Sequence, residues 1–166
     1  MRHRTQIDAL MMSDAGPLTA EQRSRFKGLA YYTPNFDLVF DVPLRNASVP
    51  DTVRFITSKN TFDRYLRLGI LAFEFKGRVH ELTLFRALEG GTLFLPFADR
   101  TSGEDTYGAG RYLDPQALQD GRYRLDFNRA YNPYCAYNAH WVCPLTPPQN
   151  VLDFAVRAGE RRFPYK

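Results

Sequence analysis

The sequence predicts a mostly β fold: a single antiparallel domain, built as a β-barrel or a curled sandwich, with short helices at the N-terminus. Three observations predict it. Apolar and polar residues alternate with a period of two in successive runs between Phe36 and Phe97. The runs are separated by short Gly-containing turns suited to hairpins, such as Lys76-Gly77 and Glu89-Gly-Gly91. Helices are expected only within residues 1–30, since the helically spaced aromatics from Tyr123 to Trp141 are interrupted by Pro133.

A chain of 166 residues corresponds to one domain. At 44% hydrophobic and 14% aromatic it has enough apolar surface for a substantial core. We divide 1–166 into a helical segment (1–30), an antiparallel meander (36–97), a loop-rich segment (98–150) and a final strand (151–158).

Ile7, Leu10 and Met11 share a helical face, and Asp14-Ala-Gly-Pro17 ends that pattern. Thr19-Ala-Glu-Gln22 fits a capping box, with Glu21 suited to the helix dipole and Gly28 a stop. Phe36, Leu38, Phe40, Val42 and Leu44 then alternate as a half-buried strand. Asn46–Asp51 reads as a turn, and Val53–Thr57 as the next strand. Arg64–Phe75 switches its apolar phase at Gly69, which predicts a bulge or sharp bend. Val79–Leu88 and Thr92–Phe97 complete the meander, and the bend lets the sheet curl. Tyr123, Leu125 and Phe127 alternate with Arg122, Arg124, Asp126 and Asn128 in a further strand. Val151–Ala158 fits a strand better than a short helix. The count is seven or eight strands.

The net charge of +4 is scattered among acidic residues, so no concentrated basic face for nucleic acid is expected. No apolar run approaches the ~20 residues of a membrane span, and the first dozen residues lack a signal-peptide core. The expected location is cytoplasmic, with Cys135 and Cys143 reduced.

The segment Thr101–Asn150 holds both cysteines, the single Trp and many of the Tyr, Pro and Gly residues. Long ordered loops in compact domains tend to carry function. Its glycine-rich part offers Thr106, Tyr107 and Arg111; the guanidinium suits a carboxylate or phosphate, although an internal partner such as Asp126 would also satisfy it. The phosphate-loop spacings of glycine are missing. Asn128, Tyr131, Asn132 and Tyr137 form a Tyr/Asn clamp combining flat apolar surface with hydrogen bonding. A tyrosine plug for one barrel end is the competing reading.

Cys135 and Cys143 lie outside the C-x-x-C pattern, and no second pair completes a zinc site, so no metal is expected. Inert thiols, a disulfide, or a Cys135 nucleophile paired with His140 and Asp126 all remain open. Pro144, Pro147 and Pro148 stiffen the exit as an extended strap.

The chain resembles a family of bacterial and archaeal proteins known as domain of unknown function 1684. The resemblance rests on Phe26-Lys-Gly-Leu29, Leu95-Pro-Phe97, Thr106-Tyr-Gly108, Gly110-Arg-Tyr112, Leu125-Asp-Phe-Asn128, Ala130-Tyr-Asn-Pro133, Cys135-Ala-Tyr137, Cys143-Pro-Leu145 and Ala158-Gly-Glu160. Tyr134 and Thr146 depart from expected prolines, and Ala109 from an expected glycine. The resemblance implies no activity, cofactor or substrate.

The functional expectation is a pocket at one end of the barrel for a small anionic molecule. Thr106, Tyr107, Arg111, Asn128, Tyr131, Asn132 and Tyr137 would bind it, with Tyr137 or Trp141 as an apolar wall. Cys135 and Asp126 are the catalytic candidates should chemistry occur. The alternative is a non-catalytic domain whose Tyr/Cys loop packs the barrel end or a homodimer interface.

Overall fold

The computed structural model describes residues 2–165. Two short helices, α1 (Arg2–Met12) and α2 (Ala20–Arg25), precede seven strands. These are β1 (Val39–Ile56), β2 (Phe62–Phe75), β3 (Arg78–Ala87), β4 (Leu93–Phe97), β5 (Arg111–Leu113), β6 (Gln116–Ala117) and β7 (Arg122–Asp126). α2 starts with the capping box: the Thr19 side chain accepts from the Gln22 amide, and the Gln22 side chain accepts from the Thr19 amide.

All seven strands form one antiparallel sheet in the order β5-β4-β3-β2-β1-β7-β6. Its two edge strands, β5 and β6, are consecutive in the chain and separated only by Asp114 and Pro115. Consecutive Cα atoms are about 3.8 Å apart, so this link brings the edges within roughly 11 Å. A flat sheet of seven strands would hold them about 28 Å apart at ~4.8 Å per strand. The sheet is therefore curled into a half-barrel. Past β7 the chain turns back, and Tyr131 exchanges two backbone hydrogen bonds with Tyr112 on the outer edge of β5 (2.8 and 3.0 Å).

Two local devices bend the strands. Lys76 and Gly77 both have positive φ, 51° and 71°, as a two-residue turn that follows the strand twist requires. At Gly69 the β2–β3 register shifts, and a Cβ there would lie 2.1 Å from the Arg45 carbonyl oxygen. Only glycine lets β1 and β2 approach so closely.

The curled sheet wraps a core containing Leu71, Phe73, Leu82, Leu84, Leu95, Phe97, Leu125 and Phe127. A second cluster joins Phe55, Phe85, Phe94 and Tyr112 through edge-to-face contacts. Leu125 and Phe127 point inward, whereas Arg124 points out and pairs with Asp41 through two bonds of 2.7 Å. The interior of the barrel is thus packed with side chains. α1 and α2 lie against one end, where Met11, Leu18, Tyr137 and Phe163 form a third cluster. Among the described residues no helix is long and apolar enough to cross a membrane.

Four expectations are corrected. Phe36 belongs to a 3-10 turn capped by Asn35 and is 83% exposed, so the inward alternation starts at Leu38. Asn46–Asp51 is not a turn between two strands; β1 runs through it as one long strand with an irregular register. β5 and β6 emerge inside the segment read as loop. Val151–Ala158 is not a strand, apart from a single bridge of Val151 to Ala98. Its first half is held by backbone bonds of Leu152 and Phe154 to Ala98 and Arg100, and its second half by side chains of Asp99 and Arg111.

Candidate functional site

Arg111 opens β5 and is 0% exposed. Its guanidinium donates to the carbonyl oxygens of Val156 (2.8 Å), Ala158 (2.5 Å) and Glu160 (3.1 Å) and to Asp99 Oδ2 (3.0 Å). The other Asp99 oxygen accepts from the amides of Thr101 and Val156. The Phe97 ring packs under the guanidinium at 5.2 Å. Arg111 and Asp99 together replace a β-ladder for the C-terminal segment, fastening irregular chain onto the barrel. The internal partner is Asp99, not Asp126. This commitment removes Arg111 from any open pocket and with it the residue on which the anion expectation stood.

Thr106 is likewise internal, fully buried and bonded to the Thr101 hydroxyl at 2.9 Å. The amides of Gly103, Glu104 and Thr106 bond back onto carbonyls of the same loop. These bonds stitch the loop to itself. Asp126 caps a 3-10 turn at Phe127–Arg129 by accepting from the Asn128 amide. Asn128 accepts from the Asn35 amide and donates to the Asn35 carbonyl, holding the start of β1 against the end of β7.

Cys135 and Cys143 form no disulfide and are buried side by side; the Cys135 amide donates to Cys143 Sγ at 3.2 Å. Tyr107 donates its hydroxyl to Cys135 Sγ at 3.7 Å. The Cys135 side chain and burial together push the Cys143 thiol well above its ordinary pKa. Burial, followed by the Cys135 thiol, likewise raises the Tyr107 hydroxyl. His140 is exposed. The described residues contain no cluster of three metal-ligating side chains. Burial and the raised Cys143 pKa are the surroundings of structural rather than nucleophilic thiols.

The Tyr/Asn clamp has a different setting. Asn128, Tyr131, Asn132 and Tyr137 line one pocket of about 160 Å³ together with Ile7, Leu10 and Met11 of α1. Neither Thr106, Tyr107, Arg111, Asp126 nor Cys135 lines it. Trp141 does not either; it packs on Tyr134 and donates to the Pro17 carbonyl. The sequence candidates thus separate into two groups, one holding the fold and one facing a cavity.

Glu160 lies on the pocket floor and escaped the sequence reading of the site. It is 1% exposed, accepts from the Tyr137 hydroxyl at 2.5 Å and from the Asn132 amide at 2.5 Å. Burial pushes its carboxyl up to about 7, against the pull of those bonds and of Arg111. Burial, then the Glu160 charge, raises Tyr137 far above a free phenol, so Tyr137 remains the proton donor. Gly159 makes this placement possible. Its φ is +74°, and a Cβ there would sit 2.6 Å from the Ala130 carbonyl and 2.7 Å from that of Phe127. A lone Glu over twenty residues from the clamp has no spacing signature; the Gly159-Glu160 pair was the sole local hint. Arg4, Tyr31, Asp114 and Arg129 also line the pocket and were equally unmarked. Arg4 stacks over the Tyr31 ring at 4.2 Å, and Asp114 accepts from the Tyr131 hydroxyl at 2.9 Å.

The model of a family described as "Protein of unknown function (DUF1684)" matches residues 24–161. Among solved structures, the chain is similar to an uncharacterized protein of Haloarcula marismortui whose structure was determined by NMR in solution. The two are 39% identical with a TM-score of 0.74, over 96% of this chain and 90% of that one. A search of curated proteins finds no match.

Proposed function

We propose that this chain, which belongs to the DUF1684 family of proteins of unknown function, binds a small molecule in the pocket between α1 and the Tyr/Asn clamp. One observation carries the reading: Asn132, whose side-chain amide oxygen is buried without a hydrogen-bond partner, and Glu160, whose carboxyl has a raised pKa, line the same cavity, together with four tyrosines. Mostly apolar pockets with a few convergent polar groups and a perturbed acid are the usual form of ligand sites. The volume is small and admits a ligand of only a few heavy atoms. Glu160, paired with Tyr137, is the group able to hold or release a proton there near neutral pH.

The test is a fragment screen by protein-observed NMR. Hits are expected to shift the amides of Tyr131, Asn132, Tyr137 and Glu160. They should vanish in Leu10→Trp, which fills the cavity from a helix position already 37% exposed. No hits, or hits confined to other surfaces, would sink the proposal. For the Cys135–Cys143 half of the loop a second reading is favoured by its burial and by the raised Cys143 pKa: it packs the barrel end as a structural element.

A further inference from the structure

We infer that the ligand of this pocket carries a primary amine, whose ammonium group sits on the floor between the Asn132 amide oxygen and the Glu160 carboxylate; the inference rests on the pocket being a binding site. Three observations point to a cationic donor. The first is the orientation of Asn132. Its Nδ2 donates to the Arg161 carbonyl at 2.8 Å, which fixes the amide and leaves Oδ1 as the buried atom with no donor. A buried acceptor lacking a donor is costly, and a ligand N–H satisfies it.

The second is the spare capacity of Glu160. An ionised carboxylate has about four lone-pair sites. Tyr137 and the Asn132 amide take one on each oxygen, so further donors are still accommodated. An ammonium carries three N–H groups, enough for both Glu160 and Asn132. The third is the wall. Tyr31, Tyr131 and Tyr137 line the cavity, and ring faces attract a desolvated cation.

The positive groups nearby do not compete for that position. Arg111 directs its two terminal nitrogens to the Val156, Ala158 and Glu160 carbonyls and to Asp99, and its buried Nε has no hydrogen-bond partner. Arg4 stacks on Tyr31 and donates to the Tyr32 carbonyl at 3.3 Å. Arg129 sits at the exposed rim, where solvent screens it. Two further acids add negative potential: Asp8, which accepts from the Leu29 amide at 3.0 Å, and Asp114, which lines the pocket and accepts from the Tyr131 hydroxyl. A cavity of 160 Å³ is close to the ~150 Å³ that accommodates a benzene-sized guest.

Three matched probes test the inference: n-butylamine, butan-1-ol and butyrate, titrated into the full chain at pH 8 and followed by NMR. The expected result is that n-butylamine binds about tenfold tighter than butan-1-ol, with butyrate weakest. Glu160→Gln should bring the amine to the level of the alcohol while the alcohol still binds. Should the alcohol match the amine, or butyrate bind best, the amine assignment is overturned and the pocket reading survives. Should none of the three bind at millimolar concentration, the pocket reading itself fails. If Glu160→Gln does not fold, the three-probe comparison on the unaltered chain still decides.

Discussion

Replacing Arg111 by lysine tests the claim that its guanidinium fastens the C-terminal segment to the barrel. Arg111→Ala is too severe: it strands the Asp99 carboxylate, whose side chain is 1% exposed, and three carbonyls. Breaking a buried pair costs about 3–5 kcal/mol, comparable to the whole stability of a marginal domain at ~5–15 kcal/mol. Arg111→Lys keeps the charge. A single ammonium cannot span acceptors that two separate guanidinium nitrogens now reach, so about two of the four bonds are lost. At roughly 1–1.5 kcal/mol each, the expected loss is about 2–3 kcal/mol. Urea unfolding followed by circular dichroism should show it as a lower midpoint with unchanged slope. In a thermal scan the same loss is a drop on the order of 4–12 °C. Arg124→Lys, at the solvent-facing Asp41 pair, is the control and should leave the midpoint in place. A midpoint for Arg111→Lys indistinguishable from that of the parent would refute the reasoning. Parent-like stability together with loss of ligand binding would return Arg111 to the binding role its sequence setting suggested.

Two further outcomes are expected. Glu160 has its folded pKa raised, from 4.5 to about 7, so its contribution is greatest below about 4.5 and is lost as pH rises through 7. Relative to Glu160→Gln, the parent should lose up to roughly 3 kcal/mol of stability between those limits and none beyond; a flat difference across that window contradicts the burial argument. Both thiols should react with a thiol reagent far more slowly in the native protein than in urea, and a rapidly reacting Cys135 would revive it as a nucleophile.

How legible the molecule was in its sequence depended on the range of the interactions. The capping box at Thr19–Gln22, the Lys76-Gly77 turn and the Gly69 bend are local, and each was readable from a few adjacent residues. The meander followed from alternation, because one face of each strand meets the core. What escaped is built from distant partners. Val151–Ala158 has strand-like alternation, yet its backbone is held by Ala98, Asp99, Arg100 and Arg111, all more than forty residues away, without forming a ladder. Phe36 alternates like its neighbours, but the Asn35 cap turns the chain before the sheet begins. The clamp residues Asn128, Tyr131, Asn132 and Tyr137 were recognised from composition, whereas Glu160 joins them through Gly159 alone.

The closure of the half-barrel also sets the order in which the chain can assemble. β2, β3 and β4 are joined by short turns and need little loop entropy to find one another. The β1–β7 ladder is of another kind; Asp41 and Arg124 meet across 83 residues. Pairing at that separation slows folding, because the entropy of closing the intervening chain is lost before the ladder forms. The seam between β1 and β7 is therefore the late step. Until it zips, the sheet is not closed on itself, and the pocket residues hung on β5 through Tyr112–Tyr131 and Arg111 are not yet set against β1 and β7. The site is a product of the final closure, and a ligand that occupies it favours the zipped state over every open one.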